Sequence, residues 1–396
     1  METVYNRKVS ASDRLHLLAD AIWPPYVFHV IIEGEGKFDF KRWKHAIEKA
    51  SEANPGSRLT LKGWLSWAKW VDSGKTPPIN RIFWNKWSGF CPDNASFSDR
   101  ALSPTKGPTC ELLLIDGHPL RAVFRGHHAV MDGRGIFTWI QDVFRDLRGE
   151  PVIGSYSTIT DIELARTFQT EHRTPFAHNN ISLTGRAEGT EQGVIWKRTR
   201  LIGKYSYRMF LAQVAVAAAR EARRHSDGIV RFSIPVDLRM RQKGLRSTGN
   251  LTNPIYIEVT PDSTPDSINL DIMKQLQEGA DGLFDKGMPN MFTPIWLHKT
   301  LSKKFIEEKH KSGMYSISGI LTNFGHIDLK KFSGGGFNAK GMFGIPAPNE
   351  YYPFTLGLAN TGTAVELVLA MPKRLATRGR LENALNRIAS EIKAEI

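Results

Sequence analysis

The chain has 396 residues, 41% of them hydrophobic and 10% aromatic, and a formal charge of +13. That length exceeds one ordinary domain of roughly 100–200 residues, so two lobes are expected, and the apolar content excludes extensive disorder. The longest apolar run, Val214 to Ala219, is far short of the roughly 20 residues needed to cross a bilayer, and Met1 to Tyr26 has no apolar stretch of a secretory signal, so a cytoplasmic protein without a transmembrane segment is expected.

In chain order, Val27 to Glu33 reads as a strand. Asp39 offers an N-cap to a helix carrying Phe40, Trp43, Ile47 and Ala50 on one stripe, stopped by Asn54-Pro55-Gly56. A strand-like segment with Trp64, Trp67 and Trp70 follows; these rings suit core and sheet packing first, or the wall of a pocket. Thr109 to Ile115 and Leu120 to Phe124 form a hairpin around Asp116-Gly117. Residues 135–144 repeat apolar side chains at helical spacing, and Gly149 to Ser155 is a linker. These features divide the chain into an N-terminal lobe, 1–155, and a C-terminal lobe, 156–396.

The second half again mixes strands and helices. Tyr207, Phe210, Leu211, Val214 and Ala218 mark an amphipathic helix after Ser206. Ile229 to Val236, Ile255 to Val259, Tyr315 to Asn323, Phe354 to Ala359 and Val365 to Ala370 read as strands. Helices are expected over Pro265 to Phe284, Pro294 to Lys309 and Arg378 to Ile392. Ser333-Gly334-Gly335-Gly336 precedes a strand, which makes it a turn rather than a phosphate-binding loop.

The segment with most chemical content is His127-His128-Ala129-Val130-Met131-Asp132-Gly133, placed where a strand ends and a helix begins. Such a junction fixes the backbone and exposes a side chain. Neighbouring strand residues point to opposite faces, so only one of the two histidines can face a given cavity. Imidazole titrates near neutrality, which suits a base that accepts and then returns a proton. From the residues alone, Asp132 either faces the same cavity or turns inward to lock the loop on an arginine. Gly133 and Gly135 suggest a tight turn or a helix start packed closely on the strand.

His127 to Gly133 resembles the signature of the chloramphenicol-acetyltransferase-like superfamily, which includes nonribosomal-peptide condensation domains, plant-type alcohol acyltransferases and wax-ester-type acyltransferases. Ile234-Pro235-Val236-Asp237-Leu238-Arg239, then Gly249-Asn250, is similar to that family's second-half motif. Leu321-Thr322-Asn323-Phe324-Gly325 resembles a third, with Thr322 in place of the usual serine; Arg134 follows the Asp-Gly where relatives vary. The resemblance implies an α/β fold of mixed sheets, with two similar lobes and a tunnel between them. It makes His128 the general base and His127, Asp132 and Gly133 structural, with Asp132 paired to an arginine. Arg239 is the expected partner. Thr322 and Asn323 are candidates for contacts to the oxyanion or substrate.

The positive charge gathers in three clusters: Arg239, Arg241, Lys243 and Arg246; Lys299 to Lys311; and Lys373 to Arg380. Each is either a solvated surface or a face for anions. No nucleic-acid-binding motif accompanies them. Once the resemblance is accepted, coenzyme A and acidic acyl or peptidyl carrier proteins are the better-fitting anionic partners. Cys91 and Cys110 lack metal or redox spacing. His127, His128 and Asp132 have no second ligand cluster to complete a metal site, so no metal and no permanently bound cofactor is expected.

No serine or cysteine sits in an elbow suited to a covalent acyl-enzyme. The expected chemistry is direct transfer of an acyl group from a CoA or phosphopantetheine thioester to a small-molecule alcohol or amine, in a monomer. One alternative is a stand-alone condensation enzyme whose substrates ride on carrier proteins. Another is a non-catalytic binding relative.

Overall fold

The structure, a computed structural model, describes residues 4–64, 67–83, 86–168, 172–173, 176–285 and 294–394. It is a mixed α/β fold built on two large sheets. Its helices are α1 (Ala11–Ile22), α2 (Phe40–Ala53), α3 (Gly133–Leu147), α4 (Asp161–Ala165), α5 (Phe210–Arg223), α6 (Pro265–Gln277), α7 (Ile295–Ser312) and α8 (Arg380–Glu391).

The first sheet has five strands in the order Phe337–Ile345, Val27–Gly36, Leu120–His127, Cys110–Ile115 and Ile79–Ile82. The second has six, in the order Val194–Ile202, Ala364–Pro372, Thr355–Asn360, Gly319–His326, Arg231–Asp237 and Thr252–Glu258. One strand of the first sheet comes from beyond residue 155. Phe337–Ile345 comes from the second half of the chain yet pairs antiparallel with Val27–Gly36, setting Phe343 opposite Ile31. Its docking adds an outer strand to the first sheet and closes that sheet's edge.

Strand alternation sorts side chains into separate cores. On the central strands of the first sheet, Val30, Ile32, Leu112, Leu114, Ala122 and Phe124 join Trp43, Trp139 and Phe144 of α2 and α3. Their neighbours Ile31, Leu113, Ile115 and Val123 point the other way, onto Trp196, Val368 and Ala370 of the second sheet. On that sheet Val365, Leu367, Leu369 and Met371 pack with α5 and α8. The central strands are thus covered by helices on one face and by the other sheet on the second, and Cys110–Ile115 and Ala364–Pro372 are buried along their whole length.

Several elements differ from expectation. The sixth helix ends at Gln277; Gly279 then adopts a left-handed conformation (φ 70°), and a short 3-10 turn and the strand Phe284–Asp285 replace the expected last turns. Trp70 is fully buried, but Trp64 and Trp67 are 71% and 82% exposed, so neither packs in a core nor lines a closed pocket. The helix α1 and the strand Val194–Ile202 were not anticipated from the pattern.

A buried ion cluster joins the sheets. Arg198 on Val194–Ile202 reaches Glu33 of the first sheet at 2.8 Å and Glu366 of the second at 2.8 Å, while Arg121 holds the other Glu33 oxygen at 3.0 Å. The Arg198 guanidinium also lies 3.8 Å from the centre of the Phe343 ring. Removing one partner of such a group leaves buried charge uncompensated, at a typical cost of about 3–5 kcal/mol. Arg198→Ala is expected to lower unfolding free energy by about that amount in urea titration; wild-type stability would show that the cluster does not hold the sheets together.

Candidate active site

The motif begins at the last residue of the strand Leu120–His127, opposite Val27. The chain then turns through His128 to Met131, and Asp132 caps α3. Its Oδ1 accepts the Gly135 amide at 2.6 Å, as an acidic N-cap does where a helix presents unpaired amides and positive dipole. Both motif glycines are used for close approach. A Cβ on Gly135 would lie 2.3 Å from the Thr248 carbonyl oxygen, and one on Gly133 3.0 Å from the Phe324 ring. The start of α3 is thereby pressed against two second-half segments.

Asp132 does not face an open site. It is 4% exposed and meets Arg239 in a two-pronged pair, at 3.0 Å from Oδ1 and 3.2 Å from Oδ2. Its Oδ2 also accepts the Leu251 amide at 2.7 Å and the Thr252 hydroxyl at 2.8 Å. Burial works against the charged form, but Arg239 and these hydrogen bonds outweigh it and hold the carboxyl below its ordinary value. Arg239 also bonds Asp237 and the carbonyls of Ser247 and Gly249. All of its donors are directed into the protein.

His127 is fully buried. Its Nδ1 accepts the Ala129 amide at 3.2 Å and its Nε2 lies 3.3 Å from Asp20 Oδ1. Its Nε2 is buried beside that carboxylate without a hydrogen bond of good geometry. His128, one residue on, is partly exposed. Its amide bonds the Tyr26 carbonyl at 3.1 Å, and its carbonyl accepts from Asn250 at 3.0 Å. Its ring is crowded on three sides, by His16 at 4.2 Å between centroids, Phe28 at 5.0 Å and Tyr26 at 5.7 Å. Burial among these rings moves its pKa below the usual histidine value, partly offset by its own carbonyl and by Asp132. The side chain is therefore a neutral imidazole at pH 7, the protonation state a base requires.

Thr322 and Asn323 lie on the strand Gly319–His326, opposite Gly357 and Leu358. The Asn323 side chain accepts the Gly325 amide at 2.8 Å. Among the described residues no hydrogen bond links either residue to 127–133. Their neighbour Phe324 makes the connection instead, lying edge-on to Phe137 of α3 at 5.0 Å. A surface hollow of about 750 Å³ lies beside Tyr5, Arg58, Asp72 and Tyr156, and a second of about 250 Å³ beside Arg220, Arg223 and Arg224. Neither is lined by His128. Among the described residues no group of three or more His, Cys, Asp or Glu is placed to hold a metal ion, and no helix is long and apolar enough to cross a membrane.

Solved structures give the architecture its relatives. The starter condensation domain of rhizomide synthetase RzmA, as a double mutant in complex with C8-CoA, matches with a TM-score of 0.70 at 15% identity over 98% of this chain and 94% of that one. The condensation domain from the Monacolin K polyketide synthase MokA matches with a TM-score of 0.63 at 10% identity over 98% and 96%. The chain has the condensation-domain fold. It comprises two chloramphenicol-acetyltransferase-like lobes. No protein-family model and no curated protein matches the sequence.

Within this condensation fold, much of the expected basic surface is consumed internally. Arg239 pairs with Asp132, Arg241 with Asp281 and Arg246 with Asp142 at 3.0 Å. Arg374 pairs with Glu307 at 3.0 Å, and Lys373 with Glu191 at 2.5 Å. Arg239 and Arg374 are buried in these pairs, whereas Lys243 and Arg378 remain exposed. In the second, Lys309 is buried, whereas Lys303 and Lys304 of α7 are exposed.

The residues missed from sequence are on α1. Asp13, buried at its N-terminus, accepts from Arg7 at 2.9 Å, Trp70 at 3.0 Å and Asn250 at 2.8 Å. The only sequence signal was Ser10-x-x-Asp13, which forms a capping box.

Asp132→Asn preserves shape but strips Arg239 of its buried counter-charge. A loss of about 3–5 kcal/mol is expected in urea unfolding; a variant of full stability without activity would contradict a structural role. Because folding lowers this carboxyl's pKa, its contribution is complete above the ordinary value of 3.8 and fades as pH falls through the lower folded value. The difference in stability between wild type and Asp132→Asn should therefore be constant near neutrality and shrink in acid below that point.

Proposed function

We propose that the protein is an acyltransferase that moves an acyl group from a thioester to an alcohol or amine, with His128 as general base. The observation that carries this reading is a partly exposed imidazole at a strand–turn–helix junction, where burial among rings disfavours its charged form, in a fold whose solved examples include a condensation domain in complex with C8-CoA.

His128 Nδ1 is enclosed, with no hydrogen-bond partner from another residue among those described. Nε2 is then the nitrogen that meets the acceptor. It takes the proton from the acceptor hydroxyl or amine as that atom bonds to the thioester carbonyl carbon. The carbonyl π electrons move to oxygen, giving a tetrahedral oxyanion that needs a hydrogen-bond donor; Thr322 and Asn323 are the side-chain candidates. Collapse of the intermediate breaks the C–S bond, and the imidazolium returns its proton to the departing thiolate. No bond to the protein forms at any stage. The exposed lysines of α7 supply the charge that would favour an anionic donor.

A second reading follows from the matches themselves, which are condensation domains: both substrates, or the donor alone, ride on carrier proteins. Incubation with a panel of acyl-CoA thioesters and mixed acceptors, followed by free-thiol release and product mass spectrometry, separates the two. Turnover without carrier protein supports the first reading.

Two outcomes are expected. His128→Ala should lower kcat/KM by about 10²–10⁴-fold, whereas undiminished turnover would leave only a binding role. Since His128 must be neutral to act and burial lowers its pKa, kcat/KM in wild type should rise with pH through a midpoint below 6.5 and be flat across neutrality. A midpoint above 6.5 would contradict the environment described.

A further inference from the structure

Three polar residues of α1 are spaced so that one helix face meets the motif at three points. Asp13 holds Asn250, which in turn holds the His128 carbonyl. Asp20 faces His127 Nε2 and accepts the Tyr26 amide at 3.1 Å. Between them, His16 lies flat on the His128 ring, with 4.2 Å between centroids and 23° between planes. Separations of three and four residues place all three on one side of a helix. One end of this arrangement is therefore tied to the motif by hydrogen bonds through Asn250, the other by the close approach of Asp20 to His127, and the middle by a ring stack.

We propose that His16 is a positioning residue for His128: it covers one face of the imidazole, holds the ring plane, and keeps water from that face. The inference deepens the acyltransferase reading and rests on it for its catalytic consequence, but the stack itself does not.

The two rings are not equivalent. His16 bonds no other residue among those described, and burial together with the neighbouring histidines drives its pKa well below the ordinary value. Burial disfavours a charge on this ring, and its stacked geometry lets it act through contact and exclusion of water. Tyr26, 5.8 Å from His16 and 5.7 Å from His128, continues the stack at similar tilt. The ionisable groups around the pair are Asp13 and Asp20 from α1, His127 and Asp132 from the motif, Tyr26 from the segment before the first-sheet strand, and Arg7 and Arg239 bound to Asp13 and Asp132. Each of those carboxylates is already engaged by a cation or by hydrogen bonds. What remains adjustable at His128 is how much of its ring water can reach, which is what His16 controls. Without this cover, the protonated form is better solvated and the pKa rises.

The test is a histidine NMR titration of wild type, His16→Phe and His16→Ala, with the His128 signal assigned by its loss in His128→Ala. It needs no substrate. His16→Phe keeps a flat ring on the same face; His16→Ala opens that face to water. The expected result is a His128 pKa in His16→Ala moved up toward the ordinary value, with His16→Phe staying nearer wild type. In thiol-release assays with the acyl-CoA panel, kcat should fall about tenfold in His16→Ala with KM changed less than about twofold, as a small misplacement of a catalytic group predicts, and His16→Phe should retain most activity. An unchanged His128 titration in His16→Ala overturns the proposal. So does a phenylalanine variant as impaired as the alanine variant, because the nitrogens of His16 would then matter. If His128→Ala turns over thioesters like wild type, the acyltransferase reading fails while the titration still decides the role of His16.

Discussion

A single buried carboxylate organises the region on which the functional reading rests. Asp132 caps α3, receives both arms of Arg239, and accepts the Leu251 amide and the Thr252 hydroxyl. Those partners come from segments more than a hundred residues apart, so the position of the motif turn relative to the second half of the chain is fixed at one atom group. A buried charge is expensive unless every lone pair is used, and here each oxygen is. In this arrangement Asp132 is committed to holding the turn, which leaves His128 as the residue proposed to do chemistry. His127 is sealed against Asp20, Asp132 is consumed in structure, and His128 alone keeps an accessible ring.

The same logic recurs away from the site. Glu33, Arg121, Arg198 and Glu366 close the far side of the joint between the sheets, and Asp142 gathers Arg246, Asn54 and the amides of Ile153 and Gly154. Of the basic residues that look like a surface for anions in the sequence, Arg239 and Arg246 are spent on holding one half of the chain to the other. A cluster of basic residues is a poor guide to partners when several of its members are ion-paired, although the net excess of positive charge remains. The exposed lysines on α7 are among the charges that can act at a distance.

Much of the fold was legible because its strands and helices are amphipathic or apolar in a regular way. The stripe on α2, the hairpin leading to His127 and the apolar run of α3 are all local patterns, and the resemblance of three separated motifs supplied their arrangement. The ion pair of Asp132 with Arg239 could be anticipated only through that resemblance, since nothing in the spacing links positions 107 residues apart. Two features were beyond local reading for physical reasons. First, α1 buries Asp13 and Arg14 alongside Leu17 and Ala19, so its inward face is not apolar and carries a weak periodic signal. Second, the placement of Phe337–Ile345 in the first sheet is decided by pairing across the whole chain, which periodicity does not encode. At the site, attention to Thr322 and Asn323 passed over Phe324, whose ring makes the contact with α3. An aromatic beside two polar candidates looks like core until its neighbours are known.

The most direct test of the account is a crystal structure of the protein with a non-cleavable thioether analogue of an acyl-CoA together with an amine or alcohol acceptor. The account predicts the acceptor heteroatom within hydrogen-bond reach, about 2.6–3.2 Å, of His128 Nε2, with the acyl carbon beside it and the Asp132–Arg239 pair undisturbed. Ligand seated instead in the hollow beside Tyr5 and Tyr156, with the His128 ring facing neither substrate, would contradict it.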